Sequence, residues 1–181
     1  MSHSRYLSAV FWFCFLLTGY VYFLYPIILT RLSRFVARNY TKSRITPPIS
    51  IIISAYNEER SIARKIENTL SLDYPPELVE IIVGSDGSRD RTEEIVKSYR
   101  ERGVRLLAFP ENRGKTVVQN DCVREASHEI IVFMDAASMC ERGALRKLVS
   151  NFADSRVGAV AGRVVFTRLE KNLTAKSQGV Y

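Results

Sequence analysis

From Tyr6 to Thr30 the chain runs 25 residues, YLSAVFWFCFLLTGYVYFLYPIILT, without a charge. As a helix this run is about 37 Å long, at about 1.5 Å per residue, which exceeds the roughly 30 Å apolar thickness of a bilayer. The apolar part of a cleaved leader covers only about 7 to 15 residues. The pattern therefore predicts a tail over 1–5 and a retained transmembrane helix over 6–30, with Gly19 and Pro26 tolerated and Trp and Tyr suited to the two interfaces. The next stretch, 31–48, is a basic juxtamembrane segment. It begins as RLSRFVARNY, which can continue as an interfacial helix, and closes as the linker TKSRITPP.

Beyond Pro48 the period of the pattern changes. Short, β-branched apolar runs appear at ISIIIS, VEIIVG, VRLLAF, EIIVFM and VGAVAGRVVF. Between them lie stretches of helical period: EERSIARKIENTLSL, DRTEEIVKSYRER, KTVVQNDCVREAS and GALRKLVSNFA. Nearly continuous apolar runs are what strands buried on both faces look like. Strand and helix in alternation predict a three-layer α/β domain with a mostly parallel sheet over 49–166, following the single transmembrane helix. The remaining stretch, 167–181, reads as a connection.

Length and charge sharpen this outline. The 181 residues suffice for one domain with a core and an appendage. The net charge of +7 is local: Arg5, Arg31, Arg34, Arg38, Lys42 and Arg44 all precede Glu58, the first acid. The rest of the chain is close to neutral, so nothing points to a nucleic-acid surface. Five of those six cations follow the apolar run, which places the domain on the cytoplasmic side of a single-pass anchor. Cys14, Cys122 and Cys140 have no zinc-site or disulfide spacing.

Ligands of parallel α/β sheets bind beyond the carboxyl ends of the strands. The first four runs lead there into SAYNEE, SDGSRD, PENRGK and DAAS. Each has a local reading: a helix cap in Asn57 to Glu59, a turn in Asp86-Gly87, an N-cap in Asp90. Four polar strand ends on one edge form a candidate site. RGKT imitates the end of a P-loop but lacks its glycines, and no glycine fingerprint follows the first run. Ala137 stands where an aspartate-nucleophile phosphatase has its second acid, and no histidine completes a serine triad.

The ordered set ISIIISAYNEE, EIIVGSDGSRDRT, NRGKTVVQN, IIVFMDAAS and GALRKLVSNFADSRVGAVAGRV resembles the family 2 glycosyltransferases, which have the GT-A (Rossmann-like) fold. The resemblance covers about residues 49–166. It implies a nucleoside diphosphate sugar donor and transfer with inversion; the apolar run at 6–30 adds the membrane anchor. It also implies that Ala55 and Tyr56 line the nucleobase pocket with Asn57 and Glu58 beside them, and that Asp86 meets the base or ribose. Gly114 and Lys115 match a turn near the nucleotide. Asp135 matches the first acid of the DxD motif, and so a ligand of a divalent cation, Mg or Mn.

The chemistry of these residues agrees with that assignment. A carboxylate accepts a uracil-like N–H, a flat ring suits Tyr56, and a diphosphate wants Lys, backbone donors or a cation. The sequence departs from the family in two ways. Ala137 replaces the second acid of DxD, and the catalytic base and acceptor motifs of the family are expected beyond Tyr181. The expectation is thus a donor-binding half of a glycosyltransferase. Two alternatives remain: a nucleotide-sugar-binding protein without transfer activity, and an anchored α/β interaction domain.

Overall fold

The computed structural model describes residues 2–36 and 40–165, in two compact units divided at Tyr40. The expected connection over 167–181 lies outside the described residues.

The first unit is helical. Helix α1 spans Ser2–Gly19 and α2 spans Tyr25–Val36, joined by a wider π-helical turn over Tyr20–Leu24. The Tyr25 N–H reaches back five residues to the Tyr20 carbonyl. Pro26 explains the widening: its ring has no N–H and would press on the carbonyl four residues before it. Thr18 and Thr30 return their hydroxyls to the carbonyls of Cys14 and Pro26, so neither displays a free donor to its surroundings. Arg5–Arg34 is one helix long and apolar enough to cross a membrane.

The second unit is built on four strands: β1 (Ile49–Ala55), β2 (Val79–Asp86), β3 (Val104–Phe109) and β4 (Ile130–Asp135). All pairings are parallel, in the order β3-β2-β1-β4. The helices are α3 (Ile62–Leu70), α4 (Thr92–Ser98), α5 (Lys115–Arg124) and α6 (Ala144–Val149). Alternate residues of β1 feed two cores. Ile49, Ile51, Ile53 and Ala55 pack with Ile62 and Ile66 of α3, Val96 of α4 and Leu145 and Val149 of α6. Ile52 packs on the other face with Ile82, Val118 and Cys122. Two helix layers thus sandwich the sheet. Gly84 lets α5 approach β2, since a Cβ there would stand 2.6 Å from Val118 and 2.7 Å from Cys122.

Two expectations need correction. Burial on both faces holds for β1 and most of β2, but β3 and β4 are edge strands, and Phe133 of β4 is half exposed. The fifth run, VGAVAGRVVF, forms no strand over its described residues 157–165. Gly158 and Gly162 supply nothing to pack, Val164 and Val165 are exposed, and the segment pairs with no ladder. Hydrophobic β-branched residues without a paired neighbour do not make a strand.

The chain builds β1, β2 and β3 outward in one direction and then returns through α5 to place β4 on the other side of β1. That reversal puts a crevice at the carboxyl ends of β1 and β4.

Candidate functional site

β1 runs out in Ala55, which is buried, and Tyr56, which is 44% exposed. Asn57 then turns the chain at φ +53°, a left-handed conformation that Asn tolerates better than most residues. Its Oδ1 accepts the Arg89 N–H at 2.8 Å, and its own N–H donates to Ser88 Oγ at 3.2 Å. The Glu58 N–H donates to Thr92 Oγ1 at 2.7 Å and the Glu59 N–H to Asp90 Oδ2 at 3.0 Å. Asp90 also accepts the Thr92 N–H at 3.0 Å, satisfying an early donor of α4. The polar residues after β1 and β2 therefore serve one another, and leave Tyr56 as the exposed flat surface.

Asp86 ends β2 and is 5% exposed. Its Oδ1 accepts the Arg113 N–H at 2.7 Å and its Oδ2 the Gly114 N–H at 2.9 Å. The carboxylate thus clamps the loop between β3 and α5. This is a task the sequence did not announce, and it leaves about half of the lone-pair positions of a carboxylate for other donors. Backbone packs on backbone here: Gly87, at φ +68°, would place a Cβ 2.6 Å from the Asn112 nitrogen. Gly114, at φ +89° and ψ 146°, opens α5 in a conformation that favours glycine. The Arg113 guanidinium lies 4.3 Å from the Phe109 ring centroid and reaches Asp121 at 2.6 Å.

Lys115 begins α5 and forms an ion pair with Asp135 at the end of β4, with both side chains more than half exposed. Asp135 is the strand neighbour of Ser54, which also neighbours Gly84. The Ser54 hydroxyl is buried and, among the described residues, is the single buried side-chain oxygen or nitrogen without a hydrogen-bond partner. Such orphans are uncommon in folded proteins. This one sits one strand-spacing from Asp135. The Ser138 hydroxyl donates to the Asp135 carbonyl at 3.3 Å.

Sequence reasoning missed Lys65. It is fully buried on α3, its ammonium donates to the Ser138 carbonyl at 2.8 Å, and Cys140 Sγ is 3.8 Å away. Burial pushes its pKa down, while Cys140 and Asp135 oppose that shift. Asn68, one turn on, donates to the Cys140 carbonyl at 3.0 Å and accepts the Cys140 N–H at 2.8 Å. Together they fasten the loop after Asp135 to α3. The available signal was positional: Lys65 falls on the same helix stripe as Ile62, Ile66 and Thr69.

Among the described residues no group of three His, Cys, Asp or Glu side chains could hold a metal ion. Asp135 is the one acid of DAAS, and Lys115 already neutralises it. This donor set fits a divalent ion only where a ligand brings further oxygens.

Comparison with known proteins agrees with this architecture. A family model described as Glycosyl transferase family 2 matches residues 50–180. The poly-beta-1,6-N-acetyl-D-glucosamine synthase of Staphylococcus aureus is 33% identical over 116 residues, which is 63% of this chain and 28% of that protein. The chain thus spans well under half the length of this curated relative. Among solved structures, the mannosyltransferase PcManGT from Pyrobaculum calidifontis, in complex with GDP-Man and Mn2+, aligns with a TM-score of 0.68. The identity is 28%, covering 77% of this chain and 43% of that one. Residues 1–349 of S. aureus TarS, in complex with UDP, align with a TM-score of 0.55 at 25% identity, over 68% of this chain and 39% of that one.

Proposed function

For this chain, which belongs to glycosyl transferase family 2, we propose that residues 49–166 form the donor-binding part of an inverting glycosyltransferase. The donor is a nucleoside diphosphate sugar, the class of molecule with which similar structures were solved in complex, GDP-Man and UDP-GlcNAc. Residues 6–30 anchor it as a single-pass membrane protein, with 31–48 as the basic flank and the domain on the cytoplasmic side.

The observation that carries this reading is the convergence of Tyr56, Asp86, Gly114, Lys115 and Asp135 on the carboxyl edge of one parallel sheet. Tyr56 offers a face for the nucleobase, with Ala55 as the floor and Asn57 and Glu58 holding the turn. Asp86 fixes the loop that presents Gly114 and Lys115, and its remaining lone pairs accept from base or ribose. Lys115 exchanges its partner Asp135 for the diphosphate. Asp135 would then be available to the ribose or to a Mg or Mn ion, which this donor set could hold only together with oxygens of the ligand. Such an ion would neutralise charge on the leaving diphosphate. With Ala137 in place of the second acid, the ion binds appreciably only together with the nucleotide.

Thermal unfolding of the chain with and without nucleoside diphosphates tests the reading. Stabilisation by at least one of them is expected, with loss of the effect in Asp86→Ala and weakening in Asp135→Ala. Manganese titration should show binding only with nucleotide present, tightened in Ala137→Asp. No shift with any nucleoside diphosphate in a folded sample would refute the donor site. For the topology, protease added to intact cells should spare the domain, and digestion from outside would overturn it.

A further inference from the structure

Lys65 stands at a position where an amphipathic helix normally carries Leu or Ile. Ile62, Ile66 and Thr69 flank it on the buried stripe of α3, and no part of it reaches solvent. An ammonium there is costly unless well paired, since an isolated buried charge loses its hydration. Its direct partners are modest: one carbonyl oxygen, of Ser138, at 2.8 Å, and the Cys140 sulfur at 3.8 Å. No carboxylate lies within ion-pair distance of it among the described ion pairs, and the acid that senses its charge is Asp135. That acid is itself paired with Lys115 on the exposed side.

Two cations therefore bracket the end of β4, one buried behind it and one exposed in front. Between them are one carboxylate and the loop Ala136–Cys140, which has lost an acid at Ala137 relative to the family pattern. The ensemble carries one positive charge more than it can neutralise internally. If packing alone mattered, Met would fill the same volume without the desolvation cost, and Asn68 already fastens the loop through Cys140. A surplus of buried positive charge at the edge where the donor binds is complementary to phosphate.

We propose that Lys65 is a positioning residue of the donor site: its buried ammonium holds the Ser138 carbonyl and backs the β4 end with a fixed positive charge that favours the phosphates of the nucleotide. This rests on the donor-site reading above. The group does not touch the ligand. It acts through the loop and through the field at Asp135, so its contribution belongs to the diphosphate and not to the nucleoside.

The experiment is calorimetric titration of the full 181-residue chain in detergent with UDP, GDP, uridine and guanosine. Wild type, Lys65→Met, Lys65→Gln and Asn68→Ala are compared, with thermal unfolding run alongside. Lys65→Met and Lys65→Gln are expected to bind the preferred nucleoside diphosphate about ten-fold or more weakly, with nucleoside affinity unchanged within about two-fold, while melting no lower than wild type. Asn68→Ala, which loosens the loop but keeps the charge, should melt lower and keep the ratio of diphosphate to nucleoside affinity. That ratio is a quantity a merely structural residue would not move. If wild type and both Lys65 variants bind the diphosphate equally, or if Lys65→Gln matches wild type, the inference is overturned and the donor site stands. If wild type binds no nucleotide, the donor site and this inference fall together. Should Lys65→Met fail to fold, Lys65→Gln carries the comparison.

Discussion

The two edges of the sheet handle polar groups in opposite ways. At the amino edge Glu80 accepts the Ser50 hydroxyl at 2.6 Å, the Ser127 N–H at 2.8 Å and the Ser127 hydroxyl at 3.1 Å, and pairs with Arg105 at 3.3 Å. The His128 N–H completes the network at Ser50 Oγ. One carboxylate thereby links β1, β2, β3 and the approach to β4, and every member is satisfied from within. At the carboxyl edge Ser54 keeps an unpartnered hydroxyl, Tyr56 lies open, and Asp135 is paired only through an exposed lysine. The closed network ties the sheet together, whereas the open one keeps bonding capacity for something else. Natural structures concentrate unsatisfied groups where a ligand binds.

Four substitutions break or sharpen this contrast, in descending order of their effect on unfolding free energy. Asp86→Ala removes the clamp on the Arg113 and Gly114 N–H groups and leaves both without a partner. Charge-assisted bonds of this kind predict a loss of about 3 kcal/mol in chemical denaturation, together with loss of nucleotide stabilisation. Asp86 thus plays an amino-edge type of role at the open edge. Gly84→Ala drives a methyl into Val118 and Cys122 and should cost about 1 to 3 kcal/mol by the same measurement.

Glu80→Gln should cost about 1 to 2 kcal/mol near neutral pH and leave nucleotide affinity untouched. Burial works to raise the Glu80 pKa, but the bonds from Ser127 and Ser50 and the Arg105 charge outweigh it and hold the carboxyl below the usual glutamate value. A depressed folded pKa means that the contribution is complete above the ordinary glutamate value and vanishes as pH falls through the lowered one. The acid limb of the stability–pH curve should accordingly be flatter in Glu80→Gln than in wild type. A parallel limb would show that Glu80 is not the group responsible. Lys115→Ala stands at the small end for stability, less than about 1 kcal/mol, because exposed ion pairs contribute little. Its effect should fall on binding: with Lys115 in the phosphate role proposed above, nucleoside diphosphate affinity is expected to weaken about ten-fold by calorimetry. Equal losses of stability in Lys115→Ala and Glu80→Gln would erase the distinction between the edges.

A cysteine comparison adds a chemical probe. Burial pushes the Cys122 thiol up to about 11, so it should resist alkylation in the native protein near neutral pH and react only on unfolding.

Much of this was written locally along the chain. The runs ISIIIS, VEIIVG, VRLLAF and EIIVFM became β1 to β4, VRLLAF with the same bounds and the others with ends shifted by one or two residues, because short apolar runs bounded by polar residues are what buried strands require. The polar residues at the strand ends were legible too, since parallel connectivity brings all carboxyl ends to one edge whatever the details of packing. Asp90, expected as the N-cap of α4, stands one residue earlier than that, since Arg91 takes the cap position, and still accepts the Thr92 N–H.

Other features depended on residues distant in sequence. VGAVAGRVVF has the composition of a strand, but pairing needs a neighbour, and β4 does not take it over the described residues. Lys65 reads as a solvated helix charge until the loop after β4, 73 residues away, lies over it. Asp86 reads as a strand-end acid in the sequence, and its second task, accepting two backbone N–H groups of the loop after β3, appears only in the folded chain. The sequence by itself determined which segments could be strands, which helices, and which edge would carry the polar groups, because those follow from short-range periodicity and from connection rules. Only the tertiary structure decided which charges are buried, which are clamps and which remain open, because burial and hydrogen-bond partners are set by what packs against a residue from across the fold.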